Sequence, residues 1–233
     1  MAVETSVAAL GAPPSIEWCR LAPQPYEAIW EWQRQRAAAV AAGQAPEVLA
    51  LVEHRPVYTL GRRADATHLL TPEAALRAMG AEVCRIDRGG DVTWHGPGQL
   101  TGYPILDLKR RGRDLHAYVC ALEDVLIEVA ATYGVTAGRQ PGMPGVWVGQ
   151  EKLGAIGIMI SRAWVSYHGF AFNVDPDLHW FSHIVPCGLH GFGVTSLSRV
   201  LRRPISLEEV TSRLLDAFSQ RFSLSLVPVA GSV

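Results

Sequence analysis

Residues 145–174 read GVWVGQEKLGAIGIMISRAWVSYHGFAFNV, and this stretch decides the fold class. Residues 145–148 and 152–160 look like two strands joined by the turn Gly149-Gln150-Glu151, and residues 164–174 are a third run with alternating bulky side chains. Together they predict a meander. Upstream, residues 16–21 can form a strand, and residues 26–42 are rich in helix formers with Ile29, Trp30, Gln33 and Ala37 on one face, stopped by Gly43. Residues 47–52 are an apolar run that fits a buried strand, with 57–60 as its hairpin partner after the turn His54-Arg55-Pro56. Gly61, Arg62 and Arg63 then open a loop. Thr71 before Pro72 and Glu73 marks a short helix that the threonine hydroxyl can cap and Gly80 closes. Asp114 caps a helix over 115–133, and Ser206 with Glu209 forms a capping box ahead of a helix running to about residue 222. Neither regular βαβ alternation nor an internal repeat is visible. The expected class is therefore α+β, a mixed, largely antiparallel sheet flanked by helices. Residues 1–14 read as a flexible extension, 15–228 as a single domain and 229–233 as a tail.

Composition bounds the function. The 233 residues are 48% hydrophobic, enough for a sizeable core, and 21 Lys and Arg against 22 Asp and Glu give a net charge of -1 and a pI of about 6.7. That balance argues against a nucleic-acid surface. No apolar run approaches the roughly 20 residues that span a bilayer, and the first residues show no basic segment ahead of an apolar stretch. Four scattered cysteines fit a reducing compartment better than a disulfide scaffold. The expected location is the cytoplasm, with neither membrane nor nucleic acid as partner.

Residues 88–104, RGGDVTWHGPGQLTGYP, carry five glycines and two prolines together with a cation, an anion, hydroxyls and a histidine. Glycine density alone fits a turn-rich connection between strands; the clustered polar groups point to a loop whose main chain approaches a ligand. Cys19, Cys84 and Cys120 lie in apolar strand or helix patterns and read as small buried hydrophobes. Cys187 differs, because it lies between a proline and a glycine in IVPCGLHGFGVTSL and is the best nucleophile candidate. His179, His183, Cys187 and His190 are also spaced like metal ligands, although Pro186 breaks the helix that would put them on one face. A catalytic thiol needs a nearby cation or base. Lys152, following a turn and opening a strand, is such a cation if a thiolate is its partner, and a strand-end lysine reaching to water if not.

RGGDVTWHGPGQLTGYPILDL, EKLGAIGI, HGFAFNV and PCGLHGFGVTSL, in that order, resemble the motifs of the bacterial lipoyl(octanoyl)transferase family, and the likeness runs from about residue 18 to 226. The resemblance implies a mixed sheet flanked by helices similar to the biotin and lipoate protein ligase catalytic domain. It implies an acyltransferase that moves an octanoyl group from octanoyl-acyl carrier protein to a lysine of lipoyl domains, through an acyl-thioester on cysteine. The acceptors it implies are the lipoyl domains of 2-oxoacid dehydrogenase complexes and the glycine cleavage H protein. Matched by motif, the catalytic residues are Cys187 and Lys152, the lysine lowering the thiol pKa. The substrate-binding residues are Arg88, Gly89, Gly90, Asp91, Val92, Thr93, Trp94, His95, Ala155, Ile156, Gly157, Gly169, Phe170 and Ala171. It implies neither cofactor nor metal.

Cysteine suits such a reaction, since a thioester donor passing its acyl group to a thiol keeps it activated for amine attack. Main-chain amides of the glycine-rich run are candidate oxyanion donors and His95 a candidate proton shuttle. Two other readings compete, an ATP-using ligase of the same fold and an idle carrier-binding module. An acidic carrier protein calls for a basic rim, and the candidates are Arg62 with Arg63, the run Lys109, Arg110, Arg111 and Arg113, and Arg199 with Arg202 and Arg203.

Overall fold

The structure, a computed structural model, describes residues 13–185, 191–231 and 233. Strand β1 (Ser15–Leu21) leads into helix α1 (Tyr26–Ala41), followed by β2 (Val48–Val52), β3 (Val57–Leu60) and α2 (Glu73–Ala78). Next come β4 (Glu82–Arg85), β5 (Val92–His95), β6 (Gln99–Ile105) and α3 (Leu115–Ala131). Strands β7 (Gly138–Gln140), β8 (Met143–Val148), β9 (Glu151–Ile160) and β10 (Ser166–Asn173) precede β11 (Gly193–Val194). Helices α4 (Leu197–Leu201) and α5 (Leu207–Phe222) and strand β12 (Ser225–Pro228) follow.

The main sheet runs β12-β1-β2-β6-β10-β9-β8-β7, with β11 beside β9. The expected meander is present as β8-β9-β10, every pair from β2 through β7 is antiparallel, and β1 pairs parallel with both β2 and β12. A parallel β1–β2 pair needs a crossover, which α1 supplies. Side chains alternate across each strand, so Leu100, Phe170 and Phe172 face α3 and α5, where Leu122, Leu126, Leu214 and Phe218 meet them. Gly154 permits that approach, since a Cβ there would sit 3.0 Å from Leu126 Cδ1. On the opposite face Tyr103, Ile105 and Tyr167 pack against Ile29, Ala37 and Val40 of α1. Asp114 and Ser206 cap α3 and α5 through the N–H groups of Ala117 and Glu209, as their sequence positions predict.

Three local expectations need correction. β3 does not pair with β2; it joins β4 in parallel and β5 in antiparallel in a separate sheet. The intervening residues are not a free turn, because His54 is buried and held to Tyr103 Oη at 2.6 Å, and Pro56 O accepts from Glu82 N at 2.8 Å, which carries the chain off the main sheet. The glycine-rich run is only partly loop, since it contains β5 and most of β6. Thr71 does not cap α2; its hydroxyl lies 2.9 Å from His183 Nδ1 and Pro72 holds the cap position.

Candidate active site

The α1 face of the main sheet is stripped of bulk at its centre. Registers Thr101↔Ala171, Ala171↔Ala155 and Gly169↔Gly157 lay a row of small side chains across β6, β10 and β9. Above them lies a narrow cleft, closed by Tyr26 of α1 and by Arg88, Thr93 and His95 of the glycine-rich run. A larger cleft of about 520 Å³ shares Gly90, Asp91, Ile156 and Gly157 with it, and reaches out past Leu115, Met143, Arg62 and Arg63. Lys152 lines this outer cleft and also a small cavity that abuts Thr93, Ala155 and Ala171.

The run at 88–91 is stitched to both sheets. Gly89 N–H donates to Ile158 O at 2.9 Å, while Arg62 N–H and Arg63 N–H donate to Arg88 O and Gly90 O at 3.1 Å each. Two glycines make this approach possible: a Cβ on Gly61 would lie 2.5 Å from Gly90 O, and one on Gly157 would lie 3.0 Å from Arg88 Cδ. Arg88 is buried, with Nη2 on Thr59 O at 2.6 Å and on Thr59 Oγ1 at 2.9 Å, and Nη1 on Gly89 O at 3.0 Å. Asp91 Oδ2 grips His68 Nδ1 at 2.5 Å, and Oδ1 accepts Val92 N–H at 2.7 Å.

Behind Arg88, Asp87 accepts from Trp30 Nε1, Tyr167 Oη and His168 Nε2 at 3.0, 2.6 and 2.8 Å. Burial alone would raise its pKa, but the hydrogen bonds from His168 and Tyr167 bring it down to about 2. His168 borders the inner cleft in a left-handed backbone conformation, φ +55, with its N–H on Gln33 Oε1 at 2.8 Å. A non-glycine residue held there marks strain of about 1–3 kcal/mol that the surrounding contacts must over-determine.

Of the residues singled out by motif, Arg88, Gly90, Asp91, Thr93, His95, Ala155, Ile156, Gly157, Gly169, Phe170 and Ala171 line the inner cleft. Gly89 lines the outer one. Val92 and Trp94 line neither cleft. Alternation along β5 sends Thr93 and His95 to the cleft and puts Val92 and Trp94 in a second core, where Trp94 stacks on Trp180 at 5.9 Å. Sequence reading missed Tyr26, Thr101, Tyr103 and His168 as lining residues. Thr101, Tyr103 and His168 were within reach, since all three fall inside the motifs already quoted.

His95 is buried at the edge of the cleft, and burial, reinforced by the Arg88 charge, pushes its pKa down to about 3 despite a 2.7 Å bond to Gln99 Oε1. Its ring is neutral at physiological pH. Lys152 is buried at the start of β9, with Nζ 4.7 Å from the centroid of the Trp147 ring. Cys187 and His190 lie outside the described residues. The chain before them is pinned by Leu70 N–H on His183 O and Val185 N–H on His68 O, at 2.9 and 2.8 Å. The chain after them returns as β11, whose Val194 registers with Lys152. His179 and His183 pack ring against ring at 5.5 Å, and His183 Nδ1 is taken by Thr71.

The basic clusters separate. Arg111 forms a two-pronged pair with Glu47 at 2.7 Å per contact, Arg113 lies over Trp164, and Lys109 and Arg110 turn to Asp107. Arg110 borders a different cavity, with Val40, Gly43 and Glu47. Arg62 and Arg63 are the cluster that stands on the outer cleft, exposed at its mouth.

Residues 25–219 match the model of the lipoyl protein ligase A/B catalytic domain. An octanoyltransferase of Gloeobacter violaceus is 51% identical over 207 residues, 88% of this chain and 90% of that protein. One of Rubrobacter xylanophilus is 49% identical over 197 residues, 84% and 88% of the two chains. Among solved structures, a bipartite lipoate protein ligase of Thermoplasma acidophilum superposes with TM-score 0.68 at 14% identity, covering 94% of this chain and 88% of that one. The biotin protein ligase of Aquifex aeolicus, in complex with biotin and ATP, superposes at 0.53 with 13% identity over 90% and 70%. These two likenesses carry the fold, a mixed sheet flanked by helices, and no more. By the matched domain and the identity to its relatives, the chain belongs to the octanoyltransferases of the lipoyl protein ligase A/B catalytic-domain family.

Proposed function

We propose that this protein transfers an octanoyl group from octanoyl-acyl carrier protein to a lysine of lipoyl domains, by way of a thioester on Cys187. The observation that carries the reading is the junction at Lys152, where a cleft floored by alanine and glycine, a buried amine and an open outer cleft meet. The inner cleft suits an unbranched acyl chain, because Ala155, Gly157, Gly169 and Ala171 leave its floor free of branches.

In the first step the Cys187 thiolate, stabilised by the Lys152 cation, attacks the donor thioester carbonyl. The tetrahedral intermediate collapses with loss of the carrier thiolate, so one thioester replaces another. In the second step a neutral lysine amine attacks the enzyme thioester, an amide forms, the Cys187 thiolate leaves, and the amine proton passes to solvent or to the departing thiolate. We assign the oxyanion of both steps to the main-chain N–H groups of Gly90 and Asp91, which border both clefts. His95, neutral and buried, reads as a fixed hydrogen-bonding group and not as a proton shuttle. Arg62 and Arg63 form the rim to which the acidic carrier protein docks. The acceptors are the lipoyl domains of 2-oxoacid dehydrogenase complexes and the glycine cleavage H protein.

The ATP-using ligases share the fold, so nucleotide dependence is the discriminating assay. Purified protein, octanoyl-carrier protein and a lipoyl domain should give the octanoyl-lysine amide without nucleotide. An absolute requirement for ATP and free octanoate would overturn the proposal.

A further inference from the structure

The polar network behind the inner cleft has a direction, and the main chain sets it. Thr195 O can only accept, so Asn173 Nδ2 donates to it at 3.0 Å and Asn173 Oδ1 is left as an acceptor. Gln99 accordingly turns its amide nitrogen to Asn173 Oδ1 at 2.9 Å and to Trp94 O at 3.3 Å, and its Oε1 meets His95 Nδ1 at 2.7 Å. An acceptor at that point requires the single proton of neutral His95 to sit on Nδ1, which leaves Nε2 bare. Nε2 lies 3.4 Å from Thr59 Oγ1, the longest link in the chain. That hydroxyl is free to donate to it, because its oxygen already receives Arg88 Nε at 3.3 Å and Nη2 at 2.9 Å.

The chain thus runs one way, from Arg88 through Thr59, His95, Gln99 and Asn173 to Thr195, and Thr195 N–H donates on to Lys152 O at 3.0 Å. Thr59, His95, Gln99, Asn173 and Thr195 are all buried. Stability does not call for it, since a buried polar network is often no better than an apolar core of the same shape and costs heavily if one member is lost. What the network does supply is fixed geometry between the guanidinium over the inner cleft and the main chain that carries Lys152.

We propose that Gln99 and Asn173 are positioning residues for acyl transfer: they hold His95 as its neutral Nδ1–H tautomer and tie it, through Thr195, to the main chain of Lys152. This rests on the octanoyl-transfer reading above. Neither residue touches a reacting atom, so tautomer state is the readout that a merely structural role would not move.

Protein carrying ¹⁵N-labelled histidine, with a His95→Gln variant to assign the signal, should show His95 protonated at Nδ1 and bare at Nε2 from about pH 8 to about pH 5. Gln99→Leu removes the acceptor and should let the proton move to Nε2. It should also slow acyl-enzyme formation from a small octanoyl thioester about tenfold at unchanged KM, the effect of roughly one hydrogen bond. Asn173→Asp still accepts from Gln99 but, once ionised, has no proton for Thr195 O, so at about pH 8 it should slow the same step while His95 keeps its Nδ1 proton. An Nε2–H or doubly protonated His95 in the parent overturns the proposal, as does a Gln99→Leu variant with parental tautomer and rate. If Gln99→Leu does not fold, the parent spectrum and the Asn173→Asp rate decide. A parent that shows the locked tautomer but transfers no octanoyl group would count against the proposed function and not against the chain of bonds.

Discussion

Gly157 is the position where one added carbon tests the acyl cleft most sharply. A Cβ there would lie 3.0 Å from Arg88 Cδ and 3.3 Å from Gly89 O, where ordinary contact begins at 3.4 Å. Alanine therefore demands a retreat of 3.4 − 3.0 = 0.4 Å by Arg88 Cδ. Arg88 cannot yield freely, because its guanidinium is held on Thr59 and its carbonyl on Arg62 N–H. Overpacking of this kind costs about 1–3 kcal/mol, which for a domain of this size lowers Tm by about 2–4 °C per kcal/mol. Valine adds two more methyls beside the cleft floor and should slow octanoyl transfer by a further tenfold to hundredfold, at about 1.4 kcal/mol per decade. The assay is the rate of acyl-enzyme formation from octanoyl and butanoyl thioesters, with thermal melting alongside. The reasoning requires the octanoyl substrate to suffer more than the butanoyl one. Equal losses for both chain lengths would refute a steric pocket at Gly157, and an unchanged melt with unchanged rates would refute the packing argument as well.

Lys152→Ala should shift the pH profile of Cys187 alkylation upward and lower activity with it; an unchanged profile would remove the electrostatic role while leaving a positional one. Reversing Arg62 and Arg63 to glutamate should weaken transfer from octanoyl-carrier protein, most at low salt, and spare a small uncharged thioester; equal loss on both donors would contradict a docking role. His95 contributes an acid sensitivity of definite sign. Its folded pKa of about 3 lies below the unfolded value of about 6.5, so its contribution is complete above that value and is lost as the pH falls towards 3. At pH 5 the loss is about 2 kcal/mol, and denaturant titrations at pH 8 and pH 5 should show less of it in His95→Gln than in the parent.

The meander was legible because its strands carry alternating bulk and its first turn carries Gly149, and the caps at Asp114 and Ser206 because the hydrogen bond they make is local. Pairings set by distant residues were not. The segment at 53–56 looks like a hairpin turn, yet His54 bonds to Tyr103 and Pro56 to Glu82, and neither partner can be read from the turn itself. Strands β5 and β6 were obscured by the very glycines that let Arg88 and Phe170 pass close to main chain. Most of the substrate-binding residues that the motif marks line the two clefts, but the motif does not give the direction each faces. Only the β3–β5 register reveals that Thr93 and His95 face the cleft while Val92 and Trp94 face away. Gln99 and Asn173, 74 residues apart, carry no signal of their contact in the sequence.

The central claim is the covalent intermediate, and intact-protein mass spectrometry after mixing with octanoyl-carrier protein tests it most directly. The account predicts one octanoyl adduct on the parent, discharged when a lipoyl domain is added, and none on Cys187→Ser. A Cys187→Ser protein that still acquires the adduct, or a parent that makes the octanoyl-lysine product without ever acquiring one, would contradict it.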